Sequence, residues 1–193
     1  MKKEPLLYKI VRPILCFLFY IVYRPTIIGQ ENVPKEGRVV LAGNHTNNLD
    51  CILLIVSLKR VIHFLAKDEL IKGKFGFIFK GMGIIPVNRK IYDKDALSSA
   101  ISCLNEDRVI GIFPEGTFNR SNNVILPFKI GAVKMASETK SPIVPFIIKG
   151  EYKIFRRSIK LEFLKQIEVP YEKDLTIYNQ KLMNIVSEYL RKE

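Results

Sequence analysis

Cysteine is scarce in this chain. Cys16, Cys51 and Cys103 are odd in number, widely spaced and part of no CxxC pair or Cys/His cluster. That excludes a disulfide framework and a structural zinc site, and suits reduced residues on the cytosolic side. Long apolar runs are also missing. The N-terminal stretch MKKEPLLYKIVRPILCFLFYIVYR has an uncharged run of 11 residues, Pro13 to Tyr23. A helix crossing the hydrocarbon needs about 20, so a simple transmembrane span is not expected. Nothing like an A-x-A cleavage site follows in IVYRPTIIGQ, which argues against a secretory signal. There is no GxSxG elbow, no internal repeat and no low-complexity tract. Acidic residues are outnumbered, 19 against 31 basic, for a net charge of +12. Such a balance points to an anionic partner: nucleic acid, acidic lipid or a phosphorylated substrate. No RNP, KH or helix-turn-helix pattern accompanies the charge, so nucleic acid is not expected as a partner.

At 193 residues, one domain with a sizeable core is expected. Residues 1–24 place five basic residues (Lys2, Lys3, Lys9, Arg12, Arg24) against Glu4 and around an apolar, aromatic segment. This predicts an interfacial helix, its apolar face in the acyl region and its cations on anionic head groups. The alternative is a core helix of the domain. From residue 25 to 193, β-rich and helical patterns alternate. Strands are predicted at 37–44, 61–66, 84–88, 108–116, 142–150 and 158–165, and helices at 49–60, 74–83, 93–107 and 131–140. A closing amphipathic helix follows. The alternation predicts a single α/β domain with a mixed, mostly parallel sheet flanked by helices. Asn47, Asn48 and Asp50 are cap candidates for the helix at 49–60.

One of the two histidines stands in the polar turn NHTNNLD, residues 44–50, with Asp50 five residues after His45. A neutral imidazole accepts a proton from a hydroxyl, and does so better when a carboxylate holds its other nitrogen. With no nucleophile nearby, such a base would act directly on a substrate hydroxyl. The competing reading is a loop histidine with Asp50 as a helix cap. FPEGTFNR (113–120) follows a strand, and its Glu115 and Thr117 offer bonds to a polyol around the turn at Gly116. GIIPVNR (83–89) ends in Arg89, suited to clamp a phosphate, and FLAKDEL (64–70) puts Lys67 at another strand end. Ligands of α/β sheets bind at strand ends.

In this order the segments resemble the four blocks of the glycerolipid acyltransferases, specifically the 1-acyl-sn-glycerol-3-phosphate acyltransferase family. NHTNNLD, GIIPVNR, FPEGTFNR and IVPF (143–146) are the counterparts, with FKIGA (128–132) matching the stretch after the third block. The resemblance covers about residues 25–150. It implies that His45 deprotonates the sn-2 hydroxyl of a lysophosphatidic acid, with Asp50 orienting it. The oxygen then attacks an acyl thioester of acyl carrier protein or coenzyme A, giving phosphatidic acid. It implies Lys67 and Arg89 on the acceptor's phosphate, Glu115, Gly116 and Thr117 at its glycerol part, and oxyanion donors among backbone N–H groups near Gly116. It implies no metal or organic cofactor, and attachment to the cytoplasmic face of the cell membrane as a peripheral protein.

Two departures stand out. Phe118 occupies the place of the family's usual arginine in the third block, and Asn88 that of an acidic residue in the second. The first bears on acceptor preference, so glycerol-3-phosphate or another lysophospholipid is the alternative acceptor. A non-catalytic lipid-binding relative is a further alternative, opposed by the intact His45/Asp50 pair. His63, inside VIHFLA, is expected to be a satisfied core histidine. Phe75, Phe77 and Phe79, with Ile78, Met82 and Ile84, either line an acyl tunnel or pack as core. Residues 149–160 carry five basic side chains against Glu151 and face either an anionic partner or solvent.

Overall fold

Helix α1 (Leu6–Tyr23) opens the computed structural model, which describes residues 5–74, 76–88, 93–172 and 174–192. Tyr8, Val11, Leu15, Cys16, Phe19 and Tyr23 recur at three- and four-residue steps and form the face seated on the body. Tyr8 and Phe19 are buried. Arg12 Nε donates to the carbonyls of Ile55 and Leu58 at 3.1 and 2.9 Å, supplying a cation at the end of the next helix. Leu6, Ile10, Ile14, Phe17 and Ile21 form the opposite, exposed stripe. The helix stops at Arg24, which takes the left-handed conformation at φ 44°, directly before Pro25. α1 therefore combines the two expectations: one face is core and the other is an unpartnered apolar surface. At 18 residues it is long and apolar enough to cross a membrane by length and composition. Its Tyr8–Phe19 face, however, is committed to the protein, and the boundary at residue 24 divides side chains that share one core.

Among the described residues seven strands follow: β1 (Thr26–Ile28), β2 (Val39–Gly43), β3 (Ile62–Lys67), β4 (Ile85–Val87), β5 (Val109–Ile112), β6 (Ile143–Gly150) and β7 (Ile159–Phe163). They form one sheet in the order β1-β7-β6-β2-β5-β3-β4. Neighbours are parallel except β6 and β7. The mixed, mostly parallel sheet is the one the alternation predicts. The sequence reading misses β1 and α3 (Asp68–Lys72), because three and five residues are too few to show a period.

β2 is buried throughout, as its unbroken VVLAG run requires of a strand covered on both faces. Val39 and Leu41 point to a core shared with α1 and α2 (Asp50–Ser57). Val40 and Ala42 point to a second core beneath α5 (Lys94–Asn105), α6 (Gly131–Thr139) and α7 (Thr176–Arg191). The result is three layers with β2 at the centre. From β2 the chain builds β3, α4 (Gly76–Gly81), β4 and β5 on one side, then crosses to β6 on the other. The C-terminal end of β2 is thus a topological switch point, where the loops after β2, β5 and β6 diverge. Only glycine fits at the end of β2: a Cβ on Gly43 would lie 2.2 Å from the Phe146 carbonyl oxygen.

Candidate active site

The residue after Gly43 fixes the loop to come. Asn44 is buried and spans to β6, its Nδ2 donating to Ile148 O at 2.9 Å and its Oδ1 accepting from Ile148 N at 2.8 Å. His45 follows at the switch point. Its Nδ1 is 2.9 Å from Asp50 Oδ2, and the two residues are 7% and 0% exposed. The same Oδ2 accepts from the backbone N–H groups of Thr46 and Asn47 at 2.7 and 2.8 Å. Two backbone amide donors on one oxygen hold the carboxylate in a fixed orientation. None of Asn47, Asn48 and Asp50 caps α2 in the expected way. Asp50 is the first helical residue, the cap position is Leu49 with no side-chain bond, and Asn47 Oδ1 accepts from Leu49 N. The carboxylate closes the turn before the helix instead, and that closure brings it to the imidazole.

With Nδ1 facing Asp50, the other ring nitrogen is the one available to a substrate. The imidazole stacks on Phe113, centroids 3.8 Å apart and planes 13° apart, and Phe118 leans over it at 4.3 Å. Where the resemblance has an arginine, this chain puts a ring against its histidine.

Glu115 has both carboxylate oxygens engaged by the backbone. It is buried, Oε1 accepts from His45 N at 2.9 Å, and Oε2 accepts from Leu126 N at 2.8 Å. It braces the histidine loop against the loop after β5. Burial pushes its carboxyl above the ordinary glutamate range, opposed by the N–H groups of Leu126 and His45. Gly116 is left-handed at φ 70°, and its N–H donates to Phe113 O at 2.9 Å. Thr117 is exposed beside it.

A cavity of about 240 Å³ opens beside His45, at the C-terminal ends of β3, β4 and β5 and between α5 and α6. Its walls are mostly apolar, with Leu65, Val87, Leu97, Ile112 and Met135 among them. Asn88, Asp93, Lys129 and Lys134 supply polar groups. Asp93 caps α5 by accepting from Ala96 N and also accepts from Asn88 N. These bonds, Asn88's first, hold its carboxyl below the ordinary range. Lys129, whose stem passes 2.9 Å from where a Gly116 Cβ would stand, is a cation at the cavity that sequence reasoning left without a role. Its signal was the FKIGA stretch.

Lys67 is exposed at the end of β3, opposite Val87, and does not line the cavity. Arg89 lies outside the described residues, as does Phe75. Of the two readings of the phenylalanine segment, core packing holds for part of it, and none of its described residues lines the cavity. Phe77 is exposed, and Ile78 and Met82 pack in the core under α1. His63 is buried with Nδ1 2.8 Å from Gly83 O, as a core histidine should be.

The fold and site define a class by their geometry: an α/β sheet with a carboxylate-held histidine at its switch point, beside an apolar cavity edged by cations. The acyltransferase family profile matches residues 24–149, and the chain belongs to that family. A 1-acyl-sn-glycerol-3-phosphate acyltransferase of Borreliella burgdorferi is 35% identical over 136 residues, 69% of this chain and 54% of the relative. One of Bacillus subtilis is 34% identical over 126 residues, 64% and 62% of the two chains. The human alpha form is 33% identical over 148 residues, 74% and 52%. The chain thus spans little more than half the length of these curated relatives. The crystal structure of the 1-acyl-sn-glycerophosphate acyltransferase from Thermotoga maritima superposes with a TM-score of 0.74 at 21% identity. It covers 95% of this chain and 76% of that one and has the same fold.

Proposed function

We propose that this chain is a 1-acyl-sn-glycerol-3-phosphate acyltransferase that esterifies the sn-2 hydroxyl of a lysophosphatidic acid from an acyl thioester. The observation that carries the reading is the buried 2.9 Å contact between His45 Nδ1 and Asp50 Oδ2 at the mouth of the apolar cavity. The far nitrogen of His45 takes the proton of the acceptor hydroxyl. The oxygen attacks the thioester carbonyl, and Asp50 stabilises the imidazolium that forms. Collapse of the tetrahedral adduct expels the thiolate, which recovers the proton from His45 as free thiol. The family names of the curated relatives support this acceptor. Lys67 and Arg89 hold its phosphate, Lys129 adds charge at the cavity, and Thr117, next to the cavity-lining Gly116, contacts its glycerol part. The donor is a thioester of acyl carrier protein or coenzyme A, and no metal or organic cofactor is needed. The exposed stripe of α1 lies on the cytoplasmic face of the membrane, its cations on anionic head groups.

The test crosses both donors with lysophosphatidic acid, glycerol-3-phosphate and other lysophospholipids, for the parent and His45→Ala. Ester formation fastest with lysophosphatidic acid and lost in the variant is expected. Unchanged turnover in folded His45→Ala refutes the base. A preference for another acceptor moves the assignment to that substrate, and Phe118 is then the first position to exchange.

A further inference from the structure

The loop after β6 reaches back to the carboxylate of the dyad. Tyr152 Oη donates to Asp50 Oδ1 at 2.6 Å. Among the described residues this is the short donor to that oxygen, Thr46 Oγ1 standing off at 3.4 Å. The other oxygen is already crowded by His45 Nδ1, Thr46 N and Asn47 N. Those three contacts fix one end of the carboxylate. The fourth fixes its plane, and so the line along which it meets the imidazole. Burial first, and then the neighbouring Asp50 charge, push the phenol well above its ordinary range, so it remains a donor wherever the protein is folded.

Tyr152 is itself held by α1. Its ring meets Phe19 and Tyr23 edge-on, at centroid distances of 6.2 and 5.6 Å, and those two rings touch each other at 4.9 Å. Phe155 N donates to Val22 O, tying the same loop to the last turn of the helix. We propose that Tyr152 is a positioning residue for the transfer reaction and that α1, through Phe19 and Tyr23, keeps it in place. The helix is then a working part of the active site as well as a surface for lipid. The proposal rests on the reading of His45 and Asp50 as the catalytic dyad.

Tyr152→Phe keeps the ring and removes the bond. Asp50 Oδ1, fully buried, then lacks its short donor, and the carboxylate directs more of its charge to His45. The imidazolium is stabilised, so the acid limb of kcat/KM moves to higher pH, by about half a unit to one unit. Without the fourth contact kcat falls about tenfold while KM for the acceptor changes little. Phe19→Leu, which leaves Tyr152 and the dyad intact but removes the ring edge, moves the limb in the same direction by less. A loss of packing alone would lower the melting temperature without moving the limb.

The experiment measures kcat, KM and the pH profile of the full-length chain, with lysophosphatidic acid in detergent, for the parent, Tyr152→Phe, Phe19→Leu and His45→Ala. Dead His45→Ala with shifted limbs in both other variants supports the proposal. Dead His45→Ala with an unshifted, fully active Tyr152→Phe overturns it and leaves the dyad standing. A shift in Tyr152→Phe but none in Phe19→Leu overturns the part assigned to α1. Active His45→Ala brings down the dyad, and Tyr152's role with it. Should Tyr152→Phe fail to fold, Phe19→Leu alone decides, an unmoved limb overturning the coupling.

Discussion

Replacing Asp50 by asparagine separates charge from geometry at this site. Oδ2 receives two backbone N–H groups and the N–H of His45, so an amide can enter in one orientation only. Its oxygen takes the Oδ2 place, and its NH2 turns to the Tyr152 oxygen, which then accepts. The histidine tautomer survives, and what is lost is the charge facing the imidazolium. Two unit charges about 4 Å apart at an effective dielectric of about 20 interact by about 4 kcal/mol. That is about three orders of magnitude in rate, an upper figure because the neutral bond persists. We expect kcat to fall about 10²- to 10³-fold, less than the ~10⁴-fold loss seen where the same exchange inverts the tautomer. The acid limb of kcat/KM should move to lower pH, opposite to Tyr152→Phe, because the imidazolium has lost its anion. The assay is thiol release from the acyl thioester, initial rates against pH, with melting curves to confirm an intact fold. A rate within threefold of the parent would refute the argument that Asp50 acts through its charge. A loss beyond ~10⁴-fold would show that the backbone amides do not hold the tautomer.

Gly43→Ala should destabilise the protein by at least about 2 kcal/mol in chemical denaturation, because its Cβ would meet the Phe146 carbonyl inside a buried parallel pair. A change within experimental error would show that the β2–β6 pairing can yield. Asp93's lowered carboxyl contributes stability that is fully present above the unfolded aspartate value and is lost as pH falls through the lowered folded value. Asp93→Ala should therefore melt below the parent at neutral pH, with the gap closing on acidification; a gap constant with pH would contradict this. Phe17→Ser on the exposed stripe of α1 should weaken binding to anionic vesicles about tenfold or more, from the apolar area withdrawn from lipid. Its turnover in detergent should equal the parent's, since Phe17 faces away from Tyr152's partners. Equal vesicle binding would remove the stripe from the membrane contact.

Much was written in local pattern. The unbroken VVLAG run placed a buried strand, and the polar NHTNNLD turn after it offered a histidine–carboxylate pair as one of two readings, without any coordinates. These features depend on residues within a few positions of each other, where period and turn chemistry act. The four ordered blocks added the class of chemistry. Other features had no local signature. Glu115 has the composition of a ligand contact, yet its neighbours in space turn it into a brace for the His45 backbone, a pairing 70 residues apart. The phenylalanines near residue 77 fitted a tunnel or a core equally well by pattern, and the cavity wall came instead from β3, β4, β5, α5 and α6. The helix period of α1 could not say which face would be buried, because both faces are apolar. Tyr152 stands 102 residues from Asp50, in a loop with no motif. The chain order thus determined which groups could react, since short-range spacing is a property of the backbone itself. Which groups would restrain them was decided by the fold, because burial and long-range hydrogen bonds exist only once the sheet has brought distant loops to one end.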